Sequence, residues 1–188
     1  MSARPSGSRK PATGSQAAGA AGVLEREHAA PDSPSALGGI RPAMLGDVPA
    51  LETLMAPWVA EGELLPRSRY DLCRHIREYH VAVDQGGSVV GCVALKLYSL
   101  ELGELGALAV RGDRQGTGVG RELCRTVIAE ARALGLRELF ALTRKPLFFT
   151  RLGFEPAVRE HFPLKVWADC ARCPRQDACD EVAVSLRL

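Results

Sequence analysis

Leu105-Gly106-Ala107-Leu108-Ala109-Val110 leads through Arg111-Gly112-Asp113-Arg114 into Gln115-Gly116-Thr117-Gly118-Val119-Gly120, and Arg121-Glu122-Leu123-Cys124 follows. The first block has the length and apolar character of a buried strand. Downstream, Val119, Leu123, Val127, Ile128, Ala131 and Leu134 recur on one helical face. The pattern Q-x-x-G-x-G therefore sits between a strand and an amphipathic helix. A helix N-terminus offers free backbone N–H groups and the positive end of the macrodipole. Glycines there let a diphosphate come close to the amides. The same glycines also fit a plain strand-to-helix turn. A Walker loop would need Lys-Ser/Thr after the glycines, where Arg121-Glu122 stands. A dinucleotide fold would place its glycines at the head of a βαβ unit, whereas this turn follows several strands that read as antiparallel.

Outward from the turn, alternation and punctuation predict the other elements. A short strand or entry segment covers residues 40–43, and Asp47 can cap a helix reaching residue 59. Residues 61–67 form a loop. Ser68 with Asp71 has capping-box spacing and opens a helix over Leu72, Cys73, Ile76 and Tyr79. Residues 81–83 and 89–98 read as a hairpin about Asp84-Gln85-Gly86-Gly87. Strands are predicted at 104–110, 139–143, 154–158 and 181–188, with a short helix at 147–152. Gly135 ends the long helix. The fold class is α/β (α+β), a mixed, mostly antiparallel central sheet flanked by helices.

Composition narrows the function. A net charge of +2 without a lysine block gives no nucleic-acid partner, and no apolar run is long enough for a membrane span. Residues 1–37, rich in Ser, Ala, Gly and Pro, read as a disordered extension ahead of a domain at 38–188. Arg4, Arg9 and Lys10 precede the first acid, as in a transit peptide, but no amphipathic basic helix accompanies them. Six cysteines without a secretory signal point to a reducing, cytoplasmic setting. Cys170-x2-Cys173-x5-Cys179 has spacing suited to zinc, with His161, Asp169 or Asp180 as a fourth ligand. A loop of reduced thiols is the alternative and is preferred. Cys124 falls on the apolar helix face and reads as packing.

The order of elements resembles the GNAT superfamily of acetyltransferases. The residues that carry the resemblance are 105–110, Gln115, Gly118 and Gly120, then 139–143, then Phe149 with Gly153-Phe154. This resemblance implies a GNAT fold that uses acetyl-CoA as co-substrate. The pantetheine arm would pair with the strand at Leu108, Ala109 and Val110, and the diphosphate would sit on Gln115, Gly116, Thr117, Gly118, Val119, Gly120 and Arg121.

A narrower resemblance, to the acetyltransferase domain of N-acetylglutamate synthases, lies in residues 62–68, 92–96, 103–105 and 142–144. It implies glutamate as acceptor, with Arg67 and Lys96 meeting its carboxylates. Two separated cations suit a ligand with two carboxylates. The chain lacks the amino-acid-kinase-like domain of the long enzymes, and its tail at 163–170 departs from theirs. Glu104 is the candidate base for the acceptor amine, directly or through water. A backbone N–H near Leu108 is the candidate for polarising the acetyl carbonyl. Phe148-Phe149 stands where many such enzymes carry a tyrosine acid. A CoA thiol can also leave as thiolate without a strong acid. Acceptors other than glutamate, a non-catalytic acetyl-CoA or metal-binding module, and a homodimer remain open.

Overall fold

The computed structural model describes residues 37–163, 169–173 and 175–188. The expected N-terminal extension lies outside these residues, except that Leu37 opens the first strand.

Among the described residues, seven strands form one sheet in the order β1-β2-β3-β4-β5-β7-β6. They are β1 (Leu37–Pro42), β2 (Tyr79–Asp84), β3 (Val89–Leu97), β4 (Leu102–Val110), β5 (Glu138–Thr143), β6 (Glu155–Ala157) and β7 (Val182–Arg187). Only β4 and β5 pair in parallel; the other neighbours are antiparallel. The helices are α1 (Val48–Ala60), α2 (Arg69–Arg74), α3 (Val119–Ala133) and α4 (Pro146–Thr150). None is long and apolar enough to cross a membrane.

Period-2 alternation divides the core between two faces of the sheet. Val93 and Leu95 of β3 join Leu105 and Leu139 in a cluster with Leu123, Val127 and Ala131 of α3. Cys92 and Ala94 face the other way, toward Leu51, Leu54 and Met55 of α1 and Leu72 of α2. Gly91 lets α3 approach, since a Cβ there would stand 2.9 Å from Leu123 Cδ1 and 3.1 Å from Val119 Cγ1. The long-helix face holds as expected except at Leu134, which follows α3 and is 56% exposed. A third cluster joins Phe140 of β5 to Phe162, with ring centroids 4.1 Å apart.

Two local expectations change. The helix opened by Ser68 is shorter than predicted: α2 ends at Arg74, a 3-10 turn covers Ile76–Glu78, and Tyr79 belongs to β2. Tyr79 N-terminates a buried strand whose pairing with β3 outweighs the helical spacing. Asp47 does not cap α1 through its side chain. It closes the preceding 3-10 turn, Leu45–Asp47, by accepting the Met44 N–H at 2.8 Å. It also takes two hydrogen bonds from Arg41 of β1, at 2.7 and 2.8 Å.

Candidate active site

Between β4 and β5 the sheet parts. Their parallel register runs only from Leu102 to Glu104 against Glu138 to Phe140. On the other side of β4, Cys92 pairs with Ala109 and Ala94 with Gly106, so Ala107 and Leu108 stand opposite Val93 alone. This is a β-bulge, and Ala107 takes φ +50 in it. A non-glycine residue with positive φ is uncommon and tends to mark a functional bend. Beyond Glu104, where β4 no longer pairs with β5, lies a groove of about 710 Å³ lined by residues of both strands, among them Leu108 and Thr143.

Leu108, Val110, Gln115, Gly116, Gly118, Gly120 and Arg121 line the groove, as do Glu104, Arg67 and Lys96. Gly118 stands at the N-cap of α3 with φ +92, which an L side chain rarely adopts, and nothing lies within 4 Å of where a Cβ would be. Tight turn and open approach are thus both present at the N-terminus of a 15-residue helix. Three expected cofactor-side residues do not line the groove with their side chains. Ala109 is 1% exposed and packs toward α1, and Val119, the first residue of α3, is 2% exposed and packs toward β3. The Thr117 hydroxyl turns back to donate to the Arg114 carbonyl at 2.7 Å.

Glu104 is 4% exposed, so it is not a solvated strand-end group. Register places it directly across from Lys96, whose Nζ is 3.6 Å from Glu104 Oε2. The Tyr98 hydroxyl donates to the same oxygen at 2.8 Å. Burial raises the Tyr98 pKa, and the charge and hydrogen bond of Glu104 raise it further, so the phenol stays protonated and donates. Tyr98 was not singled out in the sequence. Its only signal is position: two residues beyond Lys96, it shares that face of the chain.

Arg67 and Lys96 do not stand apart. Arg67 Nη2 donates to Asp169 Oδ1 at 2.7 Å, and Lys96 Nζ donates to Asp169 Oδ2 at 2.8 Å. One carboxylate bridges both cations, where two separated cations were expected. Burial pulls the Arg67 pKa down, but the hydrogen bond and charge of Asp169 more than offset this and leave it raised. Asp169, expected as a zinc ligand at most, is 7% exposed. Arg144 also lines the groove and is tied to Asp180 at 2.6 Å.

Cys170, Cys173 and Cys179 line the same groove. Cys179 Sγ accepts from Arg159 Nη2 at 3.0 Å, and Cys173 Sγ from the Arg175 N–H at 3.4 Å. Among the described residues, no group of three or more His, Cys, Asp or Glu is placed to hold a metal ion. Cys124 is fully buried, and desolvation pushes its thiol up to about 12, consistent with packing and not with a nucleophile.

The Acetyltransferase (GNAT) family matches residues 48–154. An uncharacterized N-acetyltransferase of Chlorobaculum tepidum is 38% identical over 145 residues, covering 77% of this chain and 93% of its own length. An amino-acid acetyltransferase of Ralstonia nicotianae is 41% identical over 126 residues, covering 66% of this chain but 28% of its own length. This chain thus matches less than a third of that longer relative. The structure of N-acetylglutamate synthase from Neisseria gonorrhoeae, complexed with coenzyme A and N-acetyl-glutamate, superposes with a TM-score of 0.72 at 33% identity. It covers 80% of this chain and 35% of that one. With the sheet order, the bulged β4 and the glycine turn in place, the chain belongs to the GNAT family of acetyltransferases.

Proposed function

We propose that the protein transfers an acetyl group from acetyl-CoA to the α-amine of an amino acid, with glutamate as the acceptor. The observation that carries this reading is one groove joining the α3 N-terminal turn to a buried carboxylate and two cations. The amides at residues 116–120 suit the diphosphate, and the backbone at Leu108 suits the thioester carbonyl. Glu104 takes a proton from the acceptor ammonium, leaving the free amine to attack the thioester carbonyl carbon. The Tyr98 hydrogen bond fixes the orientation of that carboxylate. The C–S bond breaks as the amide forms, and the thiolate departs and is protonated. Arg67 and Lys96 then meet acceptor carboxylate. The names of the amino-acid acetyltransferase and N-acetylglutamate synthase relatives support the same class of acceptor. A second reading, an acceptor with one carboxylate or a small amine, is favoured by Asp169, which already engages both cations.

Thiol release measured across the twenty amino acids tests the proposal, with Lys96→Ala and Arg67→Ala alongside. Each substitution should raise the KM for glutamate roughly 10- to 100-fold, because each removes a charge-assisted hydrogen bond. The KM for acetyl-CoA should change little. Equal use of glutamate and glutamine, with Lys96→Ala behaving as wild type, would reject glutamate as the acceptor.

A further inference from the structure

We propose that Asp169 is a positioning residue that sets the charge of the acceptor the groove takes, acting through Arg67 and Lys96. This deepens, and rests on, the reading that the acceptor is an amino acid. The two oxygens of Asp169 are divided between the cations, Oδ1 to Arg67 at 2.7 Å and Oδ2 to Lys96 at 2.8 Å. A ligand carboxylate meeting both cations would make the same contact. Asp169 is 7% exposed, and the side chains of Arg67 and Lys96 are 27% and 17% exposed. With so little water among them, its negative charge is weakly screened.

Asp169 arrives from far along the chain, 102 residues from Arg67 and 73 from Lys96. On one side the chain is anchored where Phe162 stacks on Phe140 of β5, and on the other Cys170 lines the groove. Its carboxylate performs two tasks. It holds a flexible Arg and a flexible Lys in one place, which limits the side-chain entropy lost when the acceptor arrives. It also cancels part of their positive charge, which weakens the attraction for an acceptor carrying a further carboxylate. The second effect acts on the choice between carboxylate and amide acceptors and leaves the CoA end of the groove alone.

The test compares kcat/KM for glutamate and for glutamine in wild type and Asp169→Asn, which keeps the size and removes the charge. The expected result is a rise of roughly tenfold or more in the glutamate-to-glutamine ratio, with the KM for acetyl-CoA unchanged. Asp169→Glu, which restores the charge, should return the ratio toward wild type. A purely structural role would lower both kcat/KM values together and leave the ratio where it was. An unchanged or lower ratio in Asp169→Asn would overturn the proposal. If wild type acetylates neither amino acid, the acceptor reading fails on its own. Glutarate and neutral glutaramide, titrated into the CoA-saturated protein, then read the same charge. Glutarate should bind Asp169→Asn more tightly than wild type while glutaramide does not; equal glutarate affinities would overturn the proposal. Asp169→Ser replaces Asp169→Asn in both assays if the latter fails to fold.

Discussion

Glu104 and Lys96 face each other across β3 and β4, and Tyr98 closes on the same carboxylate from the end of β3. A carboxylate buried to this degree is kept in register by its partners, and those partners decide where its lone pairs point. Glu104→Gln keeps the shape and an oxygen that can accept from Tyr98, but it cannot take a proton from an ammonium. Its kcat should fall by about 10²- to 10⁴-fold, the range assigned to a lost general base. The KM for acetyl-CoA should stay near wild type. Steady-state turnover of the folded variant checks this, and activity near wild type would remove Glu104 from the mechanism. The sequence placed Glu104 in the right strand because it opens the apolar run 105–110, which reads as extended. Its burial was not legible there: a Glu at a strand end is usually solvated, and only the cross-strand register brings Lys96 and Tyr98 to it.

At the scale of elements, Arg41 of β1 and the turn before α1 are tied together by Asp47. The Arg41 hydrogen bond, followed by the Met44 N–H, holds the Asp47 pKa below the usual carboxylate value despite partial burial. A depressed folded-state pKa means that the stabilisation is fully present above the unfolded value of about 3.9 and is lost as pH falls through the folded one. Asp47→Asn should therefore cost about 1–3 kcal/mol at pH 7. The gap between variant and wild type should narrow steadily below about pH 4. Urea unfolding at pH 7 and pH 3 reads both values, and a gap that stays constant with pH would show that the ion pair contributes nothing. The aspartate was visible in the sequence as a helix-start signal. Its partner was not, because Arg41 lies in a strand and the turn between them follows no periodic rule. The bulge at Ala107 is not legible in the sequence for a related reason. Gly106-Ala107 reads as small strand residues, and the extra residue exists only relative to Val93 on the neighbouring strand.

At the scale of the molecule, the core of the described residues lies on both faces of one sheet. Residues 1–36 carry a composition poor in the apolar side chains a core needs. A chain beginning at Leu37 should keep its turnover and its melting temperature, as thermal unfolding and thiol release on the two chains would show. A large loss of either would place the N-terminal segment within the working domain. The sequence by itself determined the fold class, the strand–turn–helix at residues 105–133 and the apolar face of α3. Each of these is written in spacings of two, three or four residues along the chain. The tertiary structure alone decided the parting of β4 from β5, the depth of Glu104, and the bridge from Arg67 and Lys96 to Asp169. Those contacts join side chains up to 102 residues apart, where the backbone imposes no period and only packing brings the charges together.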